Sequence, residues 1–122
     1  MSESDIQKEV MKYLKSIPNS KTIRLDGQGT IIKGRMVRQN KTMLDILFLY
    51  NGQAFFLEIK IPSEKEFINK HELRLLEGKF NLEDKTFKRY KDQLEEIRAI
   101  RETGNIAEMV CSLNEVKELI AH

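Results

Sequence analysis

Two acids and a lysine near the middle of the sequence have the spacing of a small catalytic or metal-binding site. Asp45 lies on one apolar segment, and Glu58 and Lys60 lie on the next. Asn51-Gly52 separates the segments, and Asn-Gly is the preferred two-residue turn of a β-hairpin. Residues whose numbers sum to 103 then face each other, which predicts that Asp45 lies opposite Glu58. The two predicted strands are Met43–Tyr50 and Gln53–Ile61.

This register predicts an electrostatic conflict inside the sheet. Directly opposed residues have Cβ atoms about 5 Å apart and share a face, and Lys60 shares that face because it lies two residues from Glu58. Two buried acids repel each other and lose hydration, at a cost on the order of several kcal/mol. Lys60 can neutralise one charge, but a Mg²⁺ ion bridging both carboxylates stabilises the pair more fully and favours phosphate chemistry. The alternative is an ordinary Glu–Lys pair at a strand end, since Glu58-Ile59-Lys60 alone is a weak motif.

Two helical positions carry polar residues on otherwise apolar faces. Glu3 falls within the apolar arc of the first predicted helix, whereas Glu9 lies well to its side. Glu3 is therefore a candidate site residue, although an acid here can also stabilise the helix N-terminus. Gln93 shares a face with Ile97 and Ile100, and is either a supporting site residue or a partner for a backbone group; its position alone favours the backbone partner.

The order of the predicted elements is typical of an α/β fold. A helix is followed by strands that include the central hairpin, then by a helical segment, a strand and a final helix. Ser112 and Glu115 have the spacing of a capping box at the start of that final helix. The predicted helices are 3–16, 84–103 and 112–122, with one short helix within 63–91, and the predicted strands are 22–26, 30–38, 43–50, 53–61 and 106–111.

Composition predicts one intracellular domain over residues 1–122. Apolar residues make up 40% of the 122 residues, enough for one core. The single cysteine, Cys111, has no partner for an internal disulfide, and no stretch resembles a signal peptide or a membrane span. The net charge of +2 does not by itself indicate a nucleic-acid binder. One basic stretch supplies candidate phosphate contacts, although such a stretch is more often a solvated surface: Lys33, Arg35, Arg38 and Lys41.

Other catalytic chemistries lack their residues. The histidines are His71 and His122, and neither lies in a ligand cluster, which disfavours a zinc enzyme or a histidine-metal nuclease. Serine or cysteine nucleophiles likewise lack a plausible histidine base.

The combined pattern resembles the virus-type replication-repair nuclease (VRR-Nuc) family of the PD-(D/E)xK nuclease superfamily. The resemblance covers most of the chain. Leu44 stands where a proline commonly precedes the first aspartate, and about 62–91 looks like a helical insertion. The segments that carry the resemblance are Ser2–Gln7 before Tyr13-Leu14-Lys15, Leu44-Asp45-Ile46, the Asn51-Gly52 turn, Phe56–Lys60, and Gln93 followed by Gly104 and Ile106–Cys111.

The resemblance implies a fold, a metal and residue roles. The expected fold is a PD-(D/E)xK restriction-endonuclease-like core, in which helices flank a mixed β-sheet with a central antiparallel hairpin. The expected cofactor is Mg²⁺, for which Mn²⁺ can substitute. Asp45, Glu58 and the backbone carbonyl of Ile59 would bind the metal, Lys60 would orient the attacking water, and Glu3 and Gln93 would complete the catalytic set. Glu9 replaces Glu3 if the first helix is registered differently.

The resemblance also implies partners and a setting. Small members of this family look like homodimers that cut branched DNA such as four-way (Holliday) junctions, which suggests a DNA-repair endonuclease in the cytoplasm of a bacterial or phage-infected cell, with no membrane partner. Lys88, Arg89 and Lys91 are further candidate DNA contacts. The alternative function is a non-catalytic nucleic-acid-binding or assembly subunit that keeps the fold.

Overall fold

The computed structural model describes residues 1–25, 30–32, 35–37 and 44–121. Over these residues the chain forms helices and strands in the general order expected of an α/β fold. The helices are α1 (Glu3–Lys15), α2 (Pro62–Lys70), α3 (Glu72–Leu76), α4 (Lys85–Glu102) and α5 (Leu113–Ala121), and the strands are β1 (Ser20–Arg24), β2 (Thr30–Ile32), β3 (Arg35–Val37), β4 (Ile46–Tyr50), β5 (Gln53–Ile59) and β6 (Ile106–Val110).

A mixed sheet of four strands forms the centre of the fold, in the order β1-β4-β5-β6. Strands β1, β4 and β5 pair antiparallel, whereas β5 and β6 pair parallel. The β4–β5 register runs from Tyr50 opposite Gln53 to Ile46 opposite Leu57, which confirms the predicted constant sum. Asn51 and Gly52 both have positive φ, at 53° and 76°, as a tight two-residue hairpin turn requires.

Helices cover both faces of this sheet, as the apolar composition of β4 and β5 predicts. On one face, α1 and α5 contribute Val10, Leu14 and Val116 to a core that includes Phe48 and Leu57. On the other face, residues of α2, α3 and α4 pack with residues of β6 and with Leu44. Strand alternation places Phe56, Glu58 and Lys60 on the side of α4.

Two predictions about individual elements are wrong. The stretch 30–38 was expected to form one strand, but β2 and β3 pair antiparallel with Ile32 opposite Arg35. The sequence between these strands includes Gly34, a residue type favoured in tight turns. One short helix was expected within 63–91, but α2 and α3 both precede α4, because His71 ends α2 and is followed by a new helical turn.

The capping box predicted for α5 forms only in part. Ser112 accepts a hydrogen bond from the backbone N–H of Glu115 at 3.2 Å, as expected. The Glu115 carboxylate, however, accepts from the backbone N–H and the thiol of Cys111 rather than from the backbone of Ser112. It also forms an ion pair with Lys65 of α2, which competes for the same carboxylate. None of the described helices has the length and apolarity of a membrane span.

Candidate metal centre

The β4–β5 hairpin brings Asp45 and Glu58 together on the side of the sheet that faces α4. Asp45 comes directly before β4, and the constant sum of the hairpin places it opposite Glu58. Its Oδ2 accepts a hydrogen bond of 2.8 Å from the backbone N–H of Ile59, which fixes the carboxylate beside β5. Asp45 is 8% exposed and Glu58 is 3% exposed. The hairpin register therefore places both acids where little water reaches them, and the bond from Ile59 fixes Asp45 there.

Helix α1 supplies a third carboxylate. Glu3, Asp45 and Glu58 each place a carboxylate oxygen within 4.8 Å of the others. The start of α1 is fixed by Ser2, whose hydroxyl accepts from the backbone N–H of Asp5 at 3.1 Å while the Asp5 carboxylate accepts from the Ser2 N–H. Ser2 therefore caps the helix, and Glu3 remains directed at the acid cluster.

Glu9 lies elsewhere on α1. It is exposed and lines a separate cavity with Cys111 and Pro62. Because Glu3 and not Glu9 joins the carboxylate cluster, the first assignment from the sequence is the one that matches the geometry.

The two carboxylate oxygens of Glu58 differ in their surroundings. Its Oε1 accepts a hydrogen bond from Gln93 Nε2 at 2.9 Å and lies 3.4 Å from Lys60 Nζ. Its Oε2 is buried and has no hydrogen-bond partner among the described residues. Burial, with a further contribution from the charge of Asp45, raises the pKa of Glu58 to about 8 even though Lys60 opposes the shift. Gln93 and Lys60 thus contact one oxygen of Glu58, and the other is left buried without such a partner in the described part of the chain.

Lys60 is almost completely buried, at 2% exposure, and its position has several causes. Its backbone N–H donates to the carbonyl of Val110 at 3.0 Å, which extends the parallel pairing of β5 and β6 by one residue. Its ammonium lies 5.2 Å from the centre of the Tyr90 ring. A buried ammonium between a carboxylate and an aromatic ring is stabilised as a charge, which suits a positioned cation.

Tyr90, which lies next to Lys60, and its hydrogen-bond partner Glu64 were not predicted as site residues from the sequence. The Tyr90 hydroxyl donates to Glu64 at 2.6 Å, and burial together with this carboxylate raises the pKa of Tyr90 to about 12. One signal was available for Tyr90, because it precedes Gln93 by one helical turn on α4. Glu64 lies in the first turn of α2, and nothing in the local sequence indicates which side chain it contacts.

Gln93 contacts a side chain and not a backbone group, so the expectation of a backbone partner is wrong. Its amide donates to Glu58, and its Oε1 is buried without a hydrogen-bond partner among the described residues. Gln93 lies on the buried face of α4, which covers the side of the sheet where Glu58 points.

The donor set fits a hard divalent cation. Carboxylate oxygens at this spacing are the ligands that Mg²⁺ and Mn²⁺ prefer, and the unpartnered Oε2 of Glu58 is a buried acceptor in need of a positive partner. Leu44 is 1% exposed and packs with residues of α4 and β6, so an apolar anchor directly precedes Asp45. The Ile59 carbonyl as a further ligand stays a prediction.

Several of the predicted DNA-contact residues are not among the residues that the structure describes. Lys33, Arg38 and Lys41 lie outside the described residues, and for Arg35 the backbone alone is described, as the first residue of β3. On α4, Lys88 forms an ion pair with Asp92 and Lys91 with Glu95, which are ordinary pairs between successive helical turns.

The comparisons with known proteins do not identify a relative. The chain matches no protein-family model, no curated protein and no solved structure.

Proposed function

We propose that this chain is a metal-dependent DNA endonuclease with a PD-(D/E)xK-type core, whose active centre consists of Asp45, Glu58, Lys60, Glu3 and Gln93. The observation that carries the proposal is the convergence of three carboxylates with a buried lysine, where one Glu58 oxygen lacks a partner among the described residues. The architecture supports it, because the acids and the lysine lie at one end of a central hairpin within a mixed sheet flanked by helices.

Asp45, Glu58 and Glu3 are the residues that would hold the metal. A bound Mg²⁺ or Mn²⁺ ion supplies Lewis-acid chemistry, polarising a phosphoryl oxygen and lowering the pKa of water. The burial of the site favours this role, since charges interact more strongly where water is excluded.

The chain's own residues orient the reactants. In hydrolysis, a water oxygen forms a bond to phosphorus, the bond from phosphorus to one ester oxygen breaks, and that oxygen leaves as an alcohol after gaining a proton. Lys60 presents an ammonium beside Glu58, where it can orient the water and stabilise negative charge that develops on the phosphate. Gln93 holds Glu58 by its Oε1, so Oε2 remains available as a metal ligand. The Tyr90 ring also contacts the Lys60 ammonium and helps to hold it.

The direct test is cleavage of labelled duplex, flap, single-stranded and four-way junction DNA, with Mg²⁺ or with EDTA. We expect Mg²⁺-dependent cleavage, strongest on branched DNA. Lys60→Ala and Asp45→Asn should each lower the rate by at least about a hundredfold, because one removes the positioned cation and the other a carboxylate charge. DNA binding should change little. Glu9→Gln is the matched control, since it removes an acid of α1 outside the cluster. Nicking by either site variant at the rate of the unmodified protein would refute the assignment.

Metal binding can be measured without any substrate. A cation that binds only the folded protein raises its free energy of unfolding by about 2.7 kcal/mol at a hundred times its dissociation constant. We therefore expect the melting temperature to rise by several degrees on addition of Mg²⁺. Asp45→Asn should lose this rise and Glu9→Gln should keep it. A melting temperature that is insensitive to both Mg²⁺ and Mn²⁺ would contradict the metal site.

The proposed assembly is a homodimer that presents two such sites to the opposed strands of a branch. The described residues of this chain contain one acid cluster, which can cut one strand at a time, so paired cuts need two copies. Light scattering of the purified protein, alone and with a four-way junction, gives the number of chains. One chain per junction in the active complex would argue against paired cutting.

A further inference from the structure

A groove between α1 and β1 has a volume of about 610 Å³ and a strongly basic lining. Lys8, Lys12 and Lys15 line it from the helix, and Arg24 lines it from the neighbouring strand. The spacing of four and three residues places the three lysines along one side of α1. A nearly continuous row of positive charge therefore follows the helix axis.

All three lysines of α1 line the groove, whereas its acids Glu3, Asp5 and Glu9 do not. Glu3 belongs to the carboxylate cluster, the Asp5 carboxylate is bonded at the Ser2 cap, and Glu9 lines another cavity. Within the described part of the chain, none of the three lysines forms a salt bridge. Lys8 interacts electrostatically with Asp5, so the groove carries positive charge that its own helix neutralises only in part.

Hydroxyl and amide groups accompany the lysines. Ser4, Gln7 and Thr22 also line the groove, and the buried Thr22 Oγ1 has no hydrogen-bond partner among the described residues. Ammonium groups with small hydroxyl and amide donors are the usual partners of phosphate oxygens in nucleic-acid complexes. An acidic protein partner would use the same ammonium groups, but the position of the groove favours a nucleic acid.

Two residues that line the groove are close, along the chain or across the sheet, to acids of the metal centre. Ser4 follows Glu3 directly, and Arg24 pairs with Ile46, the residue after Asp45. From Ser4 to Lys15 the helix rises about 16 Å at 1.5 Å per residue, which matches about five nucleotides of a duplex strand at 3.4 Å each. A strand lying in this groove would have its phosphodiester backbone led towards the acid cluster.

We propose that the α1–β1 groove binds the phosphodiester backbone of the DNA strand that enters the metal centre. The proposal rests on the proposed function, whose substrate path it specifies. It assigns Lys8, Lys12 and Lys15 as phosphate contacts, in addition to the candidates that the sequence offers in the basic stretch 33–41.

The test compares two variants with equal loss of charge. The groove variant, Lys8→Gln/Lys12→Gln/Lys15→Gln, lacks the row of lysines on α1. The control variant, Lys70→Gln/Lys85→Gln/Lys117→Gln, lacks three exposed lysines that do not line the groove. Binding of a labelled four-way junction is measured by fluorescence anisotropy in EDTA over a series of salt concentrations. Because the replaced lysines are exposed, both variants should melt close to the unmodified protein.

The groove variant should bind at least about tenfold more weakly than the control variant at 0.1 M salt. The plot of log affinity against log salt concentration has a negative slope, and each lost phosphate contact reduces its magnitude by about 0.9. Loss of three contacts should therefore reduce the magnitude of the slope by roughly 2 to 3. Equal affinities and slopes for the two variants would overturn the proposal.

Cleavage assays separate this proposal from the proposed function. If the unmodified protein cleaves DNA and the groove variant binds like the control, the groove assignment fails and the nuclease stands. If the groove variant loses binding but the unmodified protein never cleaves, the groove stands and the nuclease fails. Binding of the unmodified protein to phosphatidylserine vesicles, with no binding to DNA, would also overturn the groove assignment.

Discussion

Glu58 occupies the position on which the electrostatics of the site depend. One of its oxygens accepts a hydrogen bond from Gln93 and lies close to Lys60, while the other is buried with no hydrogen-bond partner among the described residues. In the absence of a cation, its raised pKa means that the carboxyl group carries a proton at neutral pH for most of the time. A ligand carboxylate must be ionised, so cation binding at this site is coupled to proton release.

Tyr90 tests how the chain holds Lys60. Tyr90→Phe keeps the ring beneath the ammonium and removes the bond to Glu64, whereas Tyr90→Leu removes both. A desolvated cation–π contact contributes about 2 kcal/mol, so we expect the leucine variant to lose on the order of thirtyfold in kcat and the phenylalanine variant only a fewfold. Affinity for DNA should stay the same in both. Equal losses would assign the effect to the hydroxyl and its bond to Glu64 instead of the ring.

At the residue scale, the sequence predicted the contacts that follow from the local geometry of turns and strands. A two-residue turn and strand alternation were enough to pair Asp45 with Glu58 and to place Lys60 beside them. Gln93 was located by helical periodicity, but its partner stayed open between a site residue and a backbone group, because periodicity gives a direction and not a contact. Tyr90 and Glu64 were missed for the same reason, since they meet across α2 and α4.

The start of α1 is the element whose local stability most directly affects the site. Glu3 is the first residue of the helix, and Ser2 is its cap. Ser2→Ala should lower the free energy of unfolding by about 1 kcal/mol and loosen the first turn. Because a loosened turn holds Glu3 less firmly near Asp45, Mg²⁺ affinity measured by calorimetry should fall severalfold.

A matched cap at α5 provides the control for this prediction. Ser112 accepts from the backbone of Glu115, and α5 contributes no residue to the carboxylate cluster. Ser112→Ala should cost about the same free energy of unfolding while leaving Mg²⁺ affinity unchanged. If both serine variants lowered affinity equally, general destabilisation and not the position of Glu3 would explain the result.

At the element scale, strongly periodic segments were predicted well and the irregular ones were not. Helices α1 and α4 and the central hairpin have clear periodicity and end signals, and they lie close to their expected boundaries. The 62–91 region has little apolar periodicity because its two short helices bury few residues: α2 buries Ile68, and α3 buries Leu75. The assignment of that region as an insertion within a nuclease core stays a prediction.

For the whole molecule, the raised pKa of Glu58 predicts how stability depends on pH without metal. Between the ordinary value of 4.5 and about 8, the folded state keeps a proton that the unfolded state releases, so stability falls as pH rises. The loss across this interval is at most about 4 to 5 kcal/mol, from 1.36 kcal/mol per pKa unit. Urea unfolding in EDTA, repeated at several pH values from about 5 to about 8, measures this loss of stability.

Glu58→Gln is the control for this pH dependence. The amide has nearly the same shape and cannot ionise, so the curve for this variant should be flat over the same interval. Glu115 does not interfere, because its pKa is lowered by the thiol of Cys111 and by Lys65, and its contribution is lost only on further acidification. A wild-type curve as flat as that of the variant would mean that Glu58 titrates normally.

The two-residue turn between β4 and β5 also has a consequence for the order of folding. A hairpin with so short a connection closes within microseconds, whereas parallel pairing of β5 with β6, such as Glu58 with Met109, requires a long segment to close first. The nascent hairpin therefore brings two acids together before Gln93 reaches them from α4. In stopped-flow refolding above pH 8 in EDTA, we expect Asp45→Asn to fold faster than the unmodified chain because this early repulsion is gone. An unchanged refolding rate would place the closure of that end of the hairpin after the folding barrier.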